Sequence, residues 1–403
     1  MKILVVCQYY YPEPFRITDI CETLVRRGHE VTVLTGLPNY PEGIVLKEYK
    51  WGKKRLETIN GVKVIRTFEM GRGNSRIKLF LNYYSFAISA SLKARFFKEE
   101  FDVILVNQLS PVMMSLPAKV YKKRYHKKIL LYCLDLWPDS LVAGGIKENS
   151  FIYNIFYKIS RRIYLTADKI FVSSDTFKDY FINKLRIAVD NIDHLPQYAE
   201  DIFDGYTSKD IYSNISSPVK NAYNFVFAGN VGEMQSVETI IKAANELKQK
   251  EEIAFHIVGS GSKLDECKKL AENYNLKNIF FYGRRPLEQM PDFYNMADAM
   301  LITLKGNTTI SNTLSGKIQS YMAFGKPIIG SVNGETARVI LESGCGFCCP
   351  AEDPKGLAKI IMEFCMSEKK VQMSGSAKAY YTQNFSKQRF FETLEQSLLQ
   401  LQS

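Results

Sequence analysis

The sequence predicts an α/β fold built from two doubly wound domains that face each other across a cleft. Apolar runs of strand length alternate with segments of helical period along most of the chain. The opening KILVVCQYY has the near-continuous hydrophobicity of a strand buried on both faces of a parallel sheet. The alternation then restarts at Phe225 to Asn230, after a stretch from Ile192 to Glu200 that contains Pro196 and reads as a hinge.

The first strand leads through a turn at Tyr11 to Pro14 into a helix with Ile17, Ile20, Cys21, Leu24 and Val25 on one face, stopped by Gly28. His29 to Leu34 is the second strand. This βαβ start lacks G-x-G-x-x-G, which disfavours an NAD- or FAD-type site. Its turn offers Tyr11, Glu13 and Arg16 at the carboxyl end of a strand, where open sheets bind ligands; the tyrosines equally suit packing of the turn. Strands at Val62 to Phe68, Val103 to Val106, Lys128 to Leu134 and Lys169 to Ser173 follow. They alternate with helices at Arg76 to Lys98, Pro111 to Tyr125, Phe151 to Leu165 and Thr176 to Leu185. Asp135-Leu136-Trp137-Pro138-Asp139 comes directly off a central strand, which suits a catalytic edge, although Asp139-Ser140 also suits a helix cap.

In the second block a helix holds Ile240, Ile241, Ala244 and Leu247, and strands are expected at Ala254 to Val258 and Ile279 to Tyr282. Gly259-Ser260-Gly261 is a weak phosphate signal, and Gly283-Arg284-Arg285 ends a strand with two guanidiniums. Ala297 to Ser331 forms a further βαβ unit. Its loop carries Thr308, Thr309, Ser311, Asn312 and Thr313, Ser315 is placed to cap the helix, and Lys317 sits in the first turn. Free backbone N–H groups, the helix dipole and an ammonium together suit a diphosphate; the plainer reading is a solvated lysine on an ordinary loop. Three helices end the chain, the last an amphipathic tail that needs a partner surface. The expected division is 1–198 and 199–385, with residues 386–403 packing back toward the first domain.

At 403 residues, with 46% hydrophobic and 24% charged residues, the chain has the composition of a soluble globular protein of two to three domains. Met1-Lys2 leads straight into a strand, so no signal peptide is expected, and Leu79 to Leu92 is too short and polar to cross a bilayer. Eight cysteines without a paired framework favour a reducing cytoplasm. Cys345, Cys348 and Cys349 lack the partners of a zinc site and are expected at a strand edge. Residues 1–200 carry 31 Lys and Arg against 20 Asp and Glu, and the remainder 22 of each, so the first half holds all of the +11 net charge. Interleaving of the bases in Arg72 to Lys98 with Phe80, Tyr83, Tyr84, Phe86, Phe96 and Phe97 suits an anionic membrane face. No nucleic-acid motif is present, so nucleic acid is not expected as a partner.

Several pieces together resemble a GT-B glycosyltransferase of family 4, within it the bacterial surface-polysaccharide enzymes that transfer amino or deoxy sugars. They are QYYYPEPFRI, RRGHEVTVLTGLPNYPEG, DLWPDS, FVFAGNVGEMQSVETI, ADAMLITL and GKIQSYMAFGKPIIGSVNGETARVI. The resemblance implies a nucleoside-diphosphate sugar, UDP or GDP, on the second domain and an acceptor on the first. It also implies retaining transfer with no metal ion or cofactor. The implied acceptor is a polyprenyl-diphosphate-linked saccharide of O-antigen, capsule or lipopolysaccharide synthesis, at the cytoplasmic face of the inner membrane.

Carried over by position, Asp135 and Lys317 become catalytic. Arg16, Gly229, Asn230, Gln235, Gly259, Arg284, Thr308, Thr309, Ser311, Asn312 and Ser320 become donor contacts, and Tyr11, Glu13 and Trp137 acceptor contacts. The chain departs from the family pattern where Asn230 and Gln235 replace phosphate-binding cations and where Asn312 and Ser320 replace paired glutamates. A nucleotide-sugar epimerase of the same fold and a catalytically inactive binding or scaffold protein are the alternatives. Acceptor-dependent release of nucleoside diphosphate distinguishes the transferase from both.

Overall fold

The computed structural model describes residues 1–73, 75–143, 145–203, 217–219, 221–307 and 311–402. The chain forms two compact units, Met1–Leu195 with Thr393–Ser403, and Pro196–Glu392. Each is built on one doubly wound sheet.

The first sheet holds β1 (Lys2–Val6), β2 (Glu30–Thr35), β3 (Leu56–Ile59), β4 (Val62–Arg66), β5 (Val103–Gln108), β6 (Lys128–Cys133), β7 (Lys169–Val172) and β8 (Ile192–His194). Their order is β3-β4-β2-β1-β5-β6-β7-β8. Every pairing is parallel except β3 with β4. The apolar runs explain the arrangement: Ile3, Leu4, Val5 and Val6 are all buried, as a central strand covered on both faces requires.

The second sheet holds β9 (Tyr223–Ala228), β10 (Ile253–Val258), β11 (Ile279–Gly283), β12 (Ala299–Thr303), β13 (Ile328–Ser331) and β14 (Gly346–Cys349). All run parallel in the order β11-β10-β9-β12-β13-β14. Alternate residues of β9 feed opposite layers, because successive side chains of a strand point to opposite faces. Phe225 and Phe227 pack with Ile241, Ile257 and Phe364, and Val226 and Ala228 with Met300, Tyr321 and Phe293.

Several expectations are corrected. The start of the supposed hinge, Ile192–His194, is strand β8, paired in register with Ile170–Val172. Strand β3 was not expected, since the bases of Lys47 to Arg55 obscure the short alternation after them. Its hairpin turn is Asn60-Gly61, with φ of 48° and 83°, a conformation that Asn and Gly tolerate. The helix expected from Thr176 to Leu185 holds one α turn, Thr176–Asp179, and then widens into a π segment, Tyr180–Lys184. Ser315 does not cap its helix with its side chain: the capping position belongs to Gly316, and Ser315 contributes only its carbonyl, which accepts from the Ile318 N–H. Cys348 and Cys349 lie on the edge strand β14, and all eight cysteines are free.

The Lys387–Gln402 helix has residues in both units. In the second, the Lys387 ammonium donates to Asp201 at 2.7 and 2.8 Å. In the first, Glu395 accepts from Arg27 at 2.7 Å and contacts His29 at 2.9 Å.

Candidate active site

In the second sheet the chain reverses direction of winding between β9 and β12, and open α/β sheets bind ligands beyond the carboxyl ends of strands at such a point. Lys317 opens the Lys317–Ala323 helix, which links β12 to β13. Its side chain reaches across to the end of β9. The ammonium lies 5.2 Å from the centroid of the Phe227 ring, and a Cβ built on Gly229 would stand 2.3 Å from Lys317 Cε. A side chain there would have to displace the lysine and adopt a φ of 149°.

Among the described residues no carboxylate or hydrogen-bond acceptor answers this ammonium, and desolvation pushes it down to about 8. The helix has only seven residues, so the cation rather than the helix end dominates the charge here. Tyr321 fixes the backbone beside it: its hydroxyl accepts from the Ala228 N–H at 3.1 Å and donates to the Ala228 carbonyl at 3.0 Å.

The glycines after β9 and β10 fit one another. A Cβ on Gly259, where φ is 143°, would stand 1.8 Å from the Gly229 carbonyl. Backbone bonds then stitch the two loops, Val231 N–H to Ser260 O at 2.9 Å and Lys263 N–H to Val231 O at 3.0 Å. The Asn230 amide donates to Gln235 at 3.3 Å, so these two expected donor contacts meet each other on the surface. Arg284 is exposed just past Gly283 at the end of β11. Ser311 and Asn312 are half-buried, and the Ser311 carbonyl approaches Gly334 closely enough that a Cβ there would lie 2.2 Å from it. Thr308 and Thr309 lie outside the described residues.

Ser320 stands where a carboxylate was expected, and its hydroxyl donates to Glu200 at 2.7 Å. The Ser320 hydroxyl thus meets a carboxylate that comes from a remote part of the chain. Nothing in the local sequence signals it.

In the first unit Asp135 follows β6, where one carboxylate oxygen accepts from the Ser110 hydroxyl and the other from the Ser140 hydroxyl at 2.5 Å. Burial raises its pKa against the pull of these bonds. Trp137 is buried, spends its indole N–H on Ser110 at 2.7 Å and packs edge-on against Phe156. Ser140 serves Asp135 rather than a helix end, while Asp139 accepts from Tyr153 and Lys184.

Glu13 is buried, with its oxygens accepting the backbone N–H groups of Asn39, Tyr40 and Tyr10 at 2.9, 2.8 and 3.2 Å. It staples the turn after β1 to the loop after β2. Tyr11 is exposed and lends its carbonyl to Arg66 at 2.6 Å, and Arg16 directly precedes the Ile17–Arg26 helix.

The sequence reading missed the polar cluster beside Glu13. Glu69 is fully buried, and one of its oxygens accepts from Asn82, Gln8 and Asn39 at 2.6, 2.8 and 3.3 Å. The other oxygen has no donor and fills the space where a Gly36 side chain would begin, 1.5 Å from its ideal Cβ. Desolvation pushes Glu69 up to about 8 and Glu13 up to about 7. The PNY triplet that supplies Asn39 hints at such a loop, but Gln8, Glu69 and Asn82 come from three separate elements.

The two constellations differ in chemistry. The second unit presents a desolvated cation suited to phosphate, and the first presents carboxyls and amides suited to hydroxyl groups. Among the described residues, no group of three His, Cys, Asp or Glu is placed to hold a metal ion.

Comparison with known proteins matches a family to each part of the chain. Residues 16–197 match the family described as Glycosyltransferase Family 4, and residues 208–379 match Glycosyl transferases group 1. The probable glycosyltransferase WbjE of Pseudomonas aeruginosa is 27% identical over 309 residues, 75% of each chain. The putative colanic acid biosynthesis glycosyl transferase WcaI of Escherichia coli K12 is 26% identical over 340 residues, 81% of this chain and 82% of its own. Among solved structures, HepE of Anabaena in complex with UDP and glucose superimposes with a TM-score of 0.71 at 15% identity, over 99% of both chains. With a glycosyltransferase domain matched in each of its two units, the chain belongs to the glycosyltransferases of GT-B type.

Proposed function

We propose that this glycosyltransferase moves a hexose, amino or deoxy in type, from a nucleoside-diphosphate donor to a lipid-linked saccharide during bacterial surface-polysaccharide synthesis. The observation that carries the donor assignment is Lys317, a desolvated ammonium without a counter-charge among the described residues, at the switch point of the second sheet. A diphosphate supplies the missing charge. The UDP bound by HepE favours UDP over GDP, and the colanic acid assignment of WcaI favours an exopolysaccharide or lipopolysaccharide setting.

In the mechanism we favour, the acceptor hydroxyl attacks the anomeric carbon on the face from which the β-phosphate departs, and its proton passes to that phosphate. Configuration is retained, and no protein nucleophile or metal ion is needed. Lys317 stabilises the charge growing on the leaving diphosphate. Asp135, held by Ser110 and Ser140, orients a sugar hydroxyl near the reacting carbon. Gly229 leaves room for Lys317, Gly259 lets the two βα loops pack together beside it, Ser320 with Glu200 meets donor hydroxyls, and Arg284 adds a second cation. The exposed apolar and basic side chains of the Arg76–Arg95 helix support work at a membrane surface. No helix among the described residues is long and apolar enough to cross a membrane.

Thermal stabilisation by UDP-, GDP- and dTDP-sugars tests the donor, since a ligand of the native state raises its melting temperature with concentration. One nucleotide should respond in the wild type and not in Lys317→Met. An equal response in both proteins removes Lys317 from the donor site. Asp135→Asn should lower kcat severely and leave the donor-induced shift intact; unimpaired turnover removes Asp135 from catalysis.

A further inference from the structure

We propose that the first unit carries a phospholipid site: a groove at the β3 edge of its sheet takes the anionic phosphate headgroup of a membrane lipid. This rests on the membrane part of the preceding proposal and gives it a location. The groove, about 680 Å³, runs between β3–β4 and the last turns of the Arg76–Arg95 helix with the residues after it. Its lining includes Arg55, Lys63, Arg66, Lys93 and Lys98 against one carboxylate, Glu99.

Two of the cations are already answered, Lys63 by Glu99 at 2.7 Å and Arg66 by Glu57 at 3.1 Å. Among the described residues Arg55, Lys93 and Lys98 make no ion pair, and burial pulls the Arg55 pKa down. Arg66 is 3% exposed, stacks on Tyr49 at 4.7 Å and donates to the Tyr11 carbonyl, yet its Nη1 has no acceptor. The Arg55 Nη1 is likewise buried without one. Two guanidinium nitrogens withdrawn from water and left unbonded, beside the unpaired ammonium groups of Lys93 and Lys98, call for an anion.

The rim identifies which anion. Leu56, Phe68 and Phe96 border the groove at 66%, 55% and 67% exposure, and Trp51, in the turn that feeds β3, is 94% exposed. A soluble phosphate or a nucleic acid backbone leaves these side chains in water. A bilayer takes both parts at once, with the phosphate on the cations and the apolar rim among the acyl chains.

The test is cosedimentation of the full chain with phosphatidylcholine vesicles, alone or with roughly a third phosphatidylglycerol, at low salt. Binding is expected only with the anionic lipid. The pair Lys93→Glu and Lys98→Glu should weaken it on the order of tenfold, and Leu56→Ser with Phe96→Ser should weaken it as well, all four residues being exposed and free to change without unfolding the chain. Lys158→Glu with Arg162→Glu, in a different basic groove of the same unit, should leave binding unchanged. Three results overturn the proposal: equal binding to both vesicle types, insensitivity to the Lys93 and Lys98 reversals, or displacement by millimolar glycerol phosphate that leaves no role for the rim. An RNA oligonucleotide whose binding is lost in these variants while vesicle binding stays intact also overturns it. UDP-sugar stabilisation measured on the same variants should persist, so failure of the lipid site and failure of the donor assignment give different results.

Discussion

The two sheets share a winding plan and bury opposite chemistry at their carboxyl ends. The first unit belongs to the half of the chain that holds the whole net positive charge, yet it sinks three carboxyls, Glu13, Glu69 and Asp135, beyond its strand ends. The second, from a half with no net charge, sinks a lysine. Net charge describes the solvated surface, whereas a few desolvated groups set what a site can hold. Withdrawal from water drives the carboxyls toward their neutral forms and leaves the ammonium with a charge it is poorly paid to keep. A neutral carboxyl with amides suits a hydroxylated acceptor, and a cation seeking a counter-charge suits a diphosphate.

Removing the cation breaks the contrast most completely. Lys317→Met is expected to lower kcat/KM on the order of 10²–10³-fold, the usual consequence of losing one charge-stabilising group, as steady-state kinetics would show. The same change should stabilise the protein. The folded pKa of Lys317 lies below its unfolded value, so at neutral pH the fold bears the cost of a desolvated charge, a cost relieved as pH rises through about 8 toward the unfolded value. Methionine removes that cost, by roughly 1–3 kcal/mol at pH 7, which calorimetry would detect. A destabilised Lys317→Met protein would mean that the ammonium has a partner after all.

Gly229→Ala should come next, with about a tenfold loss of donor affinity, because the added methyl displaces Lys317 Cε and the residue's φ of 149° disfavours a side chain. Titration with the responding nucleotide measures it. Unchanged affinity would show that Lys317 can act from a different position.

The first unit should respond to pH in the other direction. Glu69 and Glu13 have folded pKa values above their unfolded ones, so the stability they confer is complete below about 4.5 and is lost as pH rises through about 7 to 8. Hydrogen exchange resolved over residues 1–195 should report a loss of roughly 2–4 kcal/mol between pH 5 and pH 8, and Glu69→Gln should flatten that slope. A stability that climbs over this range would show that the carboxylates are ionised and paired. The smallest effect expected is that of a chelator: in the proposed mechanism EDTA leaves the rate unchanged, and a lost rate restored by a divalent cation would overturn that part.

Much of the fold was legible because strands buried on both faces announce themselves as apolar runs, as in Ile3 to Val6 and Phe225 to Ala228. Strand β3 was not, since only one edge of it is paired and its neighbours in sequence are charged. In the site, Lys317 and Gly229 were visible singly, but the 2.3 Å constraint that couples them is a matter of packing between two βα loops. Glu69 and Glu200 were invisible for the same reason: their roles come from partners 61 and 120 residues away. Local pattern reports which element a residue belongs to, and only the assembled sheet reports what it faces.

The Lys387–Gln402 helix bears on how the molecule is made. Leu394 and Leu398 are buried in it, and Glu395 pairs with Arg27 and His29 near the beginning of the chain. During synthesis all eight strands of the first sheet leave the ribosome before the second unit exists, yet the surface that receives this helix must wait until the second unit has also emerged. The unit translated first is therefore the last to be completed, and a ribosome stalled before residue 393 would hold it with that apolar surface bare to chaperones.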